Sequence, residues 1–201
     1  MNVFIVYAHP SKKSYTYQVL KQLTDALLAE KHHVELSDLY DMNFLPDMTE
    51  EEYEREGFSN LSLPISEDVL EEHRKIEKAD CLLFLYPVWW SDCPAKLKGW
   101  FDRVYSVGYA YGYDENGQPL RRMKTLKLGL VVCTAGHPTA HLTQTGIAQS
   151  MRTVMLDDRL GKRFDYKKMV ILGGTLALDQ VREDHSKQIR ELVNELKDHL
   201  M

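Results

Sequence analysis

Three short stretches of this chain combine polar donors, flat aromatic groups and small residues in a way that suits a ligand. The first, His9-Pro10-Ser11-Lys12-Lys13-Ser14-Tyr15-Thr16, leads into a run with helical periodicity. Free amide N–H groups and the positive end of the helix dipole at such a start attract an anion, typically a phosphate. Ser14 and Thr16 add hydroxyls, and His9 and Lys13 can add positive charge; a plain helix N-cap is the competing reading of Ser14 and Thr16. The second stretch, Pro87-Val88-Trp89-Trp90, offers apolar walls and backbone amides. Such walls suit a flat hydrophobic ring better than a charged sugar or a metal ion, although Trp89 or Trp90 could instead be a core residue under the loop. The third, Thr134-Ala135-Gly136-His137-Pro138-Thr139-Ala140-His141, offers bare backbone at Gly136 and imidazoles at His137 and His141. A phosphate pocket, a flat slot and a set of loop donors together outline a site for flavin mononucleotide, FMN.

These stretches need a scaffold that brings them to one edge, and the periodicity supplies it. Val3–Tyr7, Cys81–Leu85, Lys127–Cys133 and Met169–Leu172 are short apolar runs of buried-strand length, and Val34–Asp38 is a strand of alternating character. Between them lie amphipathic stretches: Thr16 to about Lys31, Glu67–Lys78, a run with Leu97, Trp100, Phe101 and Val104 on one face, Ile147–Met155, and a last helix with Ile189, Leu192, Val193, Leu196 and Leu200. Strands alternating with helices imply a parallel sheet covered on both faces. Right-handed crossovers then give a doubly wound α/β domain. With five strands and no GxGxxG after the first, the order 2-1-3-4-5 is favoured over a dinucleotide Rossmann fold. In that order the loops after strands one, three and four meet at one crevice.

The remaining features bound the function. A chain of 201 residues with 44% apolar and 27% charged residues fits a single globular domain spanning 1–201. The net charge of -5 argues against nucleic acid or an anionic membrane as main partner. No apolar run approaches the ~18 residues of a membrane span, and the first residues read as a strand rather than a signal peptide. Cys81, Cys93 and Cys133 form no CxxC, so neither a zinc site nor a disulfide framework is expected, and a reducing cytoplasm is the natural setting. Cys81 and Cys133 read as core residues. Asp41–Pro64 reads as a surface excursion whose acidic run, Thr49–Glu56, is a solvated helix face. His73 reads as a helix-surface histidine, and Asn116-Gly117 as a hairpin turn.

Several strings carry a family resemblance: Tyr7-Ala8-His9-Pro10; Tyr86-Pro87-x-x-Trp90; Pro94-Ala95-x-Leu97-Lys98-Gly99-Trp100-Phe101-Asp102-Arg103-Val104; and Thr134-Ala135-Gly136. In order and spacing the chain resembles the flavodoxin-like NAD(P)H:quinone oxidoreductases, a family that includes the DT-diaphorases, bacterial general stress proteins and ancillary proteins of potassium efflux systems. The resemblance implies an FMN-dependent enzyme, with FAD as the other flavin, that passes a hydride from NAD(P)H to a quinone or other small aromatic acceptor. It implies that His9, Ser14, Tyr15 and Thr16 hold the phosphate and ribityl chain. Pro87, Val88, Trp89 and Trp90 would line the ring, and Thr134, Ala135, Gly136 and the histidines His137 and His141 would close its opposite edge. It also implies a homodimer in which Tyr109, Tyr111 and Tyr113 reach over the partner's substrate pocket, with Tyr111, Tyr113 and His141 as the catalytic set. Tyrosine enrichment is usual at interfaces; an exposed hairpin is the competing reading.

The chain also departs from the larger members. Their relay Tyr falls at His141 here, and their relay His falls near Ile147-Ala148, so a relay would run through His141 alone. A cationic His141 beside the anionic edge of a reduced flavin would be a direct electrostatic contribution. The larger members' long C-terminal extension has no counterpart and no adenine site is evident, which favours FMN over FAD. Two further function classes stay open: a regulatory flavoprotein subunit docked on a membrane transporter's cytoplasmic domain, and a flavodoxin-type electron carrier. The missing flavodoxin phosphate loop counts against the carrier. Replacing Trp90 or Gly136 is expected to cost flavin retention first.

Overall fold

The computed structural model describes residues 1–198, with side chains as far as Leu196; the expected core position Leu200 lies outside them. In chain order the elements are β1 (Asn2–Tyr7), α1 (Tyr15–Ala29), β2 (His33–Asp38), α2 (Glu50–Gly57), α3 (Glu67–Lys78), β3 (Cys81–Pro87), α4 (Ala95–Val104), β4 (Tyr111–Tyr113), β5 (Pro119–Arg121), β6 (Leu126–Thr134), α5 (Thr139–Gln144), α6 (Ile147–Arg152), a π-helix (Thr153–Leu160), β7 (Phe164–Leu172) and α7 (Leu178–Asp198). The main sheet runs β2-β1-β3-β6-β7, every pair parallel. Counting only its own strands, that is the expected order 2-1-3-4-5. The small antiparallel hairpin β4-β5 turns at Asn116-Gly117, where Gly117 has φ 73° and donates its N–H to Asp114 O at 3.0 Å.

Side chains alternate across each strand, so the sheet separates two cores. Phe4, Val6, Phe84, Tyr86, Val131 and Cys133 face α3, α4 and α6. Val3, Ile5, Tyr7, Leu83, Leu85 and Val132 face α1 and α7. Every side chain of β3 is buried, which is why that stretch reads as an unbroken apolar run. All three cysteines are buried and free. Two boundaries differ from expectation by five residues, the others by no more than two. β7 starts at Phe164 rather than Met169, because the half-exposed Tyr166, Lys167 and Lys168 of this edge strand mask it. The helix expected to end at Met155 continues, in π-helical form, to Leu160. Among the described residues, no helix is long and apolar enough to cross a membrane.

The acidic run is a solvated face at Glu50, Glu51 and Glu54, but Glu52 and Arg55 turn inward. Thr49 and Glu52 form a capping box that starts α2, and Glu52, 8% exposed, takes Arg103 of α4. All five N–H groups of Arg103 are used: Nε and Nη2 on Glu52, Nη1 and Nη2 on Asp68 at 2.6 and 2.9 Å, and Nη1 on Leu45 O at 2.7 Å. The excursion is therefore strapped to α4 by a buried ion cluster. His73 is a second correction. It lies inside, with Nε2 2.8 Å from Val104 O and its ring stacked on Tyr109 at 3.5 Å. Burial holds its pKa below the usual imidazole value, with the Val104 hydrogen bond opposing.

The glycine in the Lys-Gly-Trp-Phe string has a packing reason. A Cβ at Gly99 would stand 2.1 Å from Pro46 O and 2.4 Å from Pro46 Cα, both backbone atoms. Gly99→Ala should cost about 1–3 kcal/mol or more by overpacking. Denaturant unfolding of the variant checks this, and an unchanged midpoint would show that the excursion does not press on α4.

Candidate active site

Three loops leave the carboxyl ends of β1, β3 and β6, and open α/β sheets bind ligands at that edge, where the strand order reverses. The first ends in Ser14, the N-cap of α1, whose Oγ accepts from Tyr17 N at 3.1 Å. Tyr15 N–H and Thr16 N–H, in the first turn, have no intrahelical acceptor and could hold an anion. His9 faces this loop: its Nδ1 accepts from Ser11 N at 3.0 Å, which leaves Nε2 as the N–H donor. Burial lowers the His9 pKa, against the Ser11 bond and the Asp38 charge. With Nδ1 accepting, His9 has its Nε2–H to offer as a hydrogen-bond donor. Thr16 is buried and pairs its hydroxyl with that of Thr134 at 2.8 Å, so these two stitch the first and third loops together. Tyr15 OH meets His185 Nδ1 at 3.0 Å, and His185 Nε2 meets Gly173 O at 3.0 Å. Lys13 is exposed.

In the second loop, Pro87 ends β3 and Val88 N donates to Thr134 O at 2.8 Å. Trp89 and Asp92 exchange two backbone hydrogen bonds, 2.9 and 3.1 Å, around Trp90 and Ser91. Both of these residues are left-handed, with φ 49° and 66°. Neither tryptophan is a core residue: Trp89 is 42% exposed and Trp90 fully so, while the buried one is Trp100. The rings of Trp89 and His9 lie 6.1 Å apart, which joins the first loop to the second.

The third loop is pinned from behind. Ala135 N donates to Leu172 O, Thr175 N to Ala135 O and Gly174 N to His137 O, at 2.9–3.0 Å. Its exposed His137 and His141 rings lie 4.8 Å apart. A cleft of about 290 Å³ opens between the second and third loops. Val88, Trp90 and Ser91 form one wall, Ala135, Gly136, His137 and His141 the other, and Leu142 and Ile147 complete it. A Cβ at Gly136 would meet the Leu176 side chain in ordinary van der Waals contact, from 3.4 Å, so packing does not force a glycine there.

A family model described as flavodoxin-like fold matches residues 1–200. The chain belongs to this flavodoxin-like family. Over 98% of both chains it superimposes on the NAD(P)H:quinone oxidoreductase from Methanothermobacter marburgensis, with 47% identity and a TM-score of 0.91. It is 34% identical to NAD(P)H dehydrogenase [quinone] 1 of Rattus norvegicus over 166 residues, 75% of this chain; the match spans 59% of the rat enzyme's length. An FMN-dependent NADH-azoreductase from Bacillus anthracis, solved with FMN, shares the fold at 20% identity and a TM-score of 0.72, over 97% of this chain and 98% of its own. Within the flavodoxin-like family, this chain stands among proteins named as NAD(P)H:quinone oxidoreductases.

Part of the expected set of site residues is brought together within this single chain. His9, Ser14, Tyr15 and Thr16 gather at the start of α1, and Val88, Trp90, Ala135, Gly136, His137 and His141 gather at the cleft. Tyr111 and Tyr113 are not brought there. Tyr111 OH donates to Glu56 Oε2 at 3.0 Å, and Tyr113 lies on the exposed face of the β4-β5 hairpin. Tyr109 OH donates to Glu77 at 2.9 Å. Sequence reasoning missed Asp92 and Arg159, which brace the second loop. The signal was present: Arg159 continues the four-residue spacing of the buried Met151 and Met155, so an arginine stands on an apolar stripe.

Proposed function

We propose that the protein is a flavin-dependent NAD(P)H:quinone oxidoreductase that holds FMN across its three strand-end loops. The observation that carries this reading is the junction, at one sheet edge, of a helix start with free amides and a cleft walled by Val88, Trp90 and Gly136. The amides of Tyr15 and Thr16 and the Nε2–H of His9 would bind the phosphate, and buried Thr16 and Thr134 hold the two loops in register. Val88 and Trp90 would give the ring its apolar wall, with Gly136 leaving the opposite wall clear. His141 stands at the cleft where it can hold a proton near the reacting edge. A bound flavin would supply two-electron redox chemistry between a nicotinamide and an aromatic acceptor. The protein orients the reactants and excludes water from the slot.

Two copies complete the site in this reading. The cleft is open beside the fully exposed Trp90, and the Tyr111–Tyr113 arm is tied to its own α2 through Glu56 rather than to its own cleft. FMN is preferred to FAD because the azoreductase that shares the fold carries it. Three buried, unpaired cysteines suit a cytoplasmic setting. The absorbance spectrum of purified protein tests the reading. Bands at about 375 and 450 nm that bleach in one two-electron step on anaerobic NADPH addition are expected. A protein that stays colourless when FMN and FAD are supplied would sink it.

A further inference from the structure

We infer that Arg159 is a positioning residue: its guanidinium, locked on Asp92, holds the left-handed turn that presents Trp90 and the neighbouring amides to the cleft. The inference rests on the flavin reading of that cleft and extends it to a residue outside the three loops.

The turn needs an external brace. Two-residue loops with both residues left-handed are normally filled by Asn-Gly or Asp-Gly, because side chains resist that conformation. Here the positions are Trp90 and Ser91, with φ 49° and 66°. Such a conformation persists only where its surroundings over-determine it. The turn's two backbone bonds end at Asp92, so fixing Asp92 fixes the turn. Arg159 grips that carboxylate with both prongs, Nη1 at 2.9 Å and Nη2 at 3.0 Å, and Asp92 Oδ1 also accepts Cys93 N at 2.7 Å. The guanidinium is itself seated. Its side chain is 8% exposed, lies over the Phe101 ring at 5.2 Å, and places Nη1 3.1 Å from Met155 Sδ and 3.4 Å from Cys93 Sγ.

Stability alone does not require a charge there. The Arg159 side chain is buried but that of Asp92 is 48% exposed, and a pair open to solvent on one side adds little net stability. What the guanidinium adds is direction: a forked, bidentate contact fixes the plane and position of a carboxylate. It arrives on the π-helix, a form that often marks functional segments. On the other side, Val88 stays bonded to Thr134 O, so loss of the clamp would be felt at residues 89–92 and not in the strands.

Amide hydrogen exchange on the flavin-free protein, paired with FMN titration, tests this in Arg159→Met, Arg159→Lys and the double variant Arg159→Met with Ser91→Gly. In Arg159→Met the protection of the 89–92 turn should fall about tenfold while β3 and β6 keep theirs, and FMN should bind about tenfold more weakly. Arg159→Lys, which keeps the charge but not the fork, should fall between. Glycine at position 91 accepts the left-handed conformation unaided, so the double variant should recover both readouts to within about threefold. A protected turn and unchanged FMN affinity in Arg159→Met would overturn the proposal. So would failure of the glycine to rescue, since the arginine would then act through general packing. Should the wild-type protein bind no FMN, the flavin reading fails, while the exchange comparison still decides whether Arg159 holds the turn.

Discussion

Arg103→Met should destabilise the protein by about 3–5 kcal/mol, the usual cost of removing one partner from a buried ionic cluster. Methionine fills much of the same volume, so the loss is electrostatic rather than a cavity. Glu52 would keep its burial but lose three hydrogen bonds from the guanidinium, and Asp68 would lose two. In a chain of this length each kcal/mol lowers the melting temperature by about 2–4 °C, so the shift is easily read by thermal or urea unfolding. The pH dependence supplies a second signature. Burial alone would raise the pKa of Glu52, but Arg103, the Thr49 amide and the Ser66 hydroxyl outweigh it and hold it below the usual carboxylate value. A group depressed in the folded state stabilises above its unfolded pKa and loses that contribution as pH falls through the folded value. The gap between wild type and Arg103→Met should therefore be full at neutral pH and narrow below about pH 4. A variant within 1 kcal/mol of wild type at neutral pH would show that the excursion over residues 41–66 is not secured by this cluster.

Gly136→Val should weaken FMN binding about a hundredfold, equivalent to about 2.7 kcal/mol, while leaving the unfolding midpoint of the flavin-free protein nearly unchanged. The separation of the two effects is the point. Gly136 has no positive φ, and a Cβ there meets only Leu176 side-chain atoms, from 3.4 Å outward. The fold therefore accepts a side chain at this position, and the isopropyl group would add bulk to the cleft wall that Gly136 forms opposite Val88 and Trp90. Gly173 behaves differently: its Cβ would press on Thr139 N at 2.5 Å and His137 O at 2.8 Å, so substitution there moves the loop itself. Flavin fluorescence titration with a parallel melt separates these cases. Undiminished affinity in Gly136→Val would remove the ring from this cleft.

The fold was legible because its central strands are buried on both faces. β1, β3 and β6 announce themselves as unbroken apolar runs, and their order follows from crossover handedness. The loops after them were found for the same reason, since the function of such a sheet sits where those runs stop. What could not be read was any contact made across the sheet's surroundings. Glu52 lies in a run of acidic residues and looks solvated until α4 supplies Arg103. His73 looks exposed until Tyr109 covers it. Arg159 was hidden by the opposite effect: a charge beside Asp157 and Asp158 suggests a polar helix end, whereas the π-helical segment turns it inward onto Asp92. The Tyr111–Tyr113 arm is legible as a hairpin, but the Glu56 that holds Tyr111 stands on α2, 55 residues earlier.

The three buried cysteines have a consequence for the chemistry proposed. Burial, chiefly, pushes the Cys93 and Cys133 thiols up to about 12 and Cys81 higher still. Attack on a disulfide or a peroxide needs the thiolate, and at neutral pH almost none forms at these positions. A protein that exchanges electron pairs with quinones meets electrophiles and reactive oxygen as by-products. This one offers them no cysteine thiolate, so arylation and glutathione capping of its thiols lack a handle.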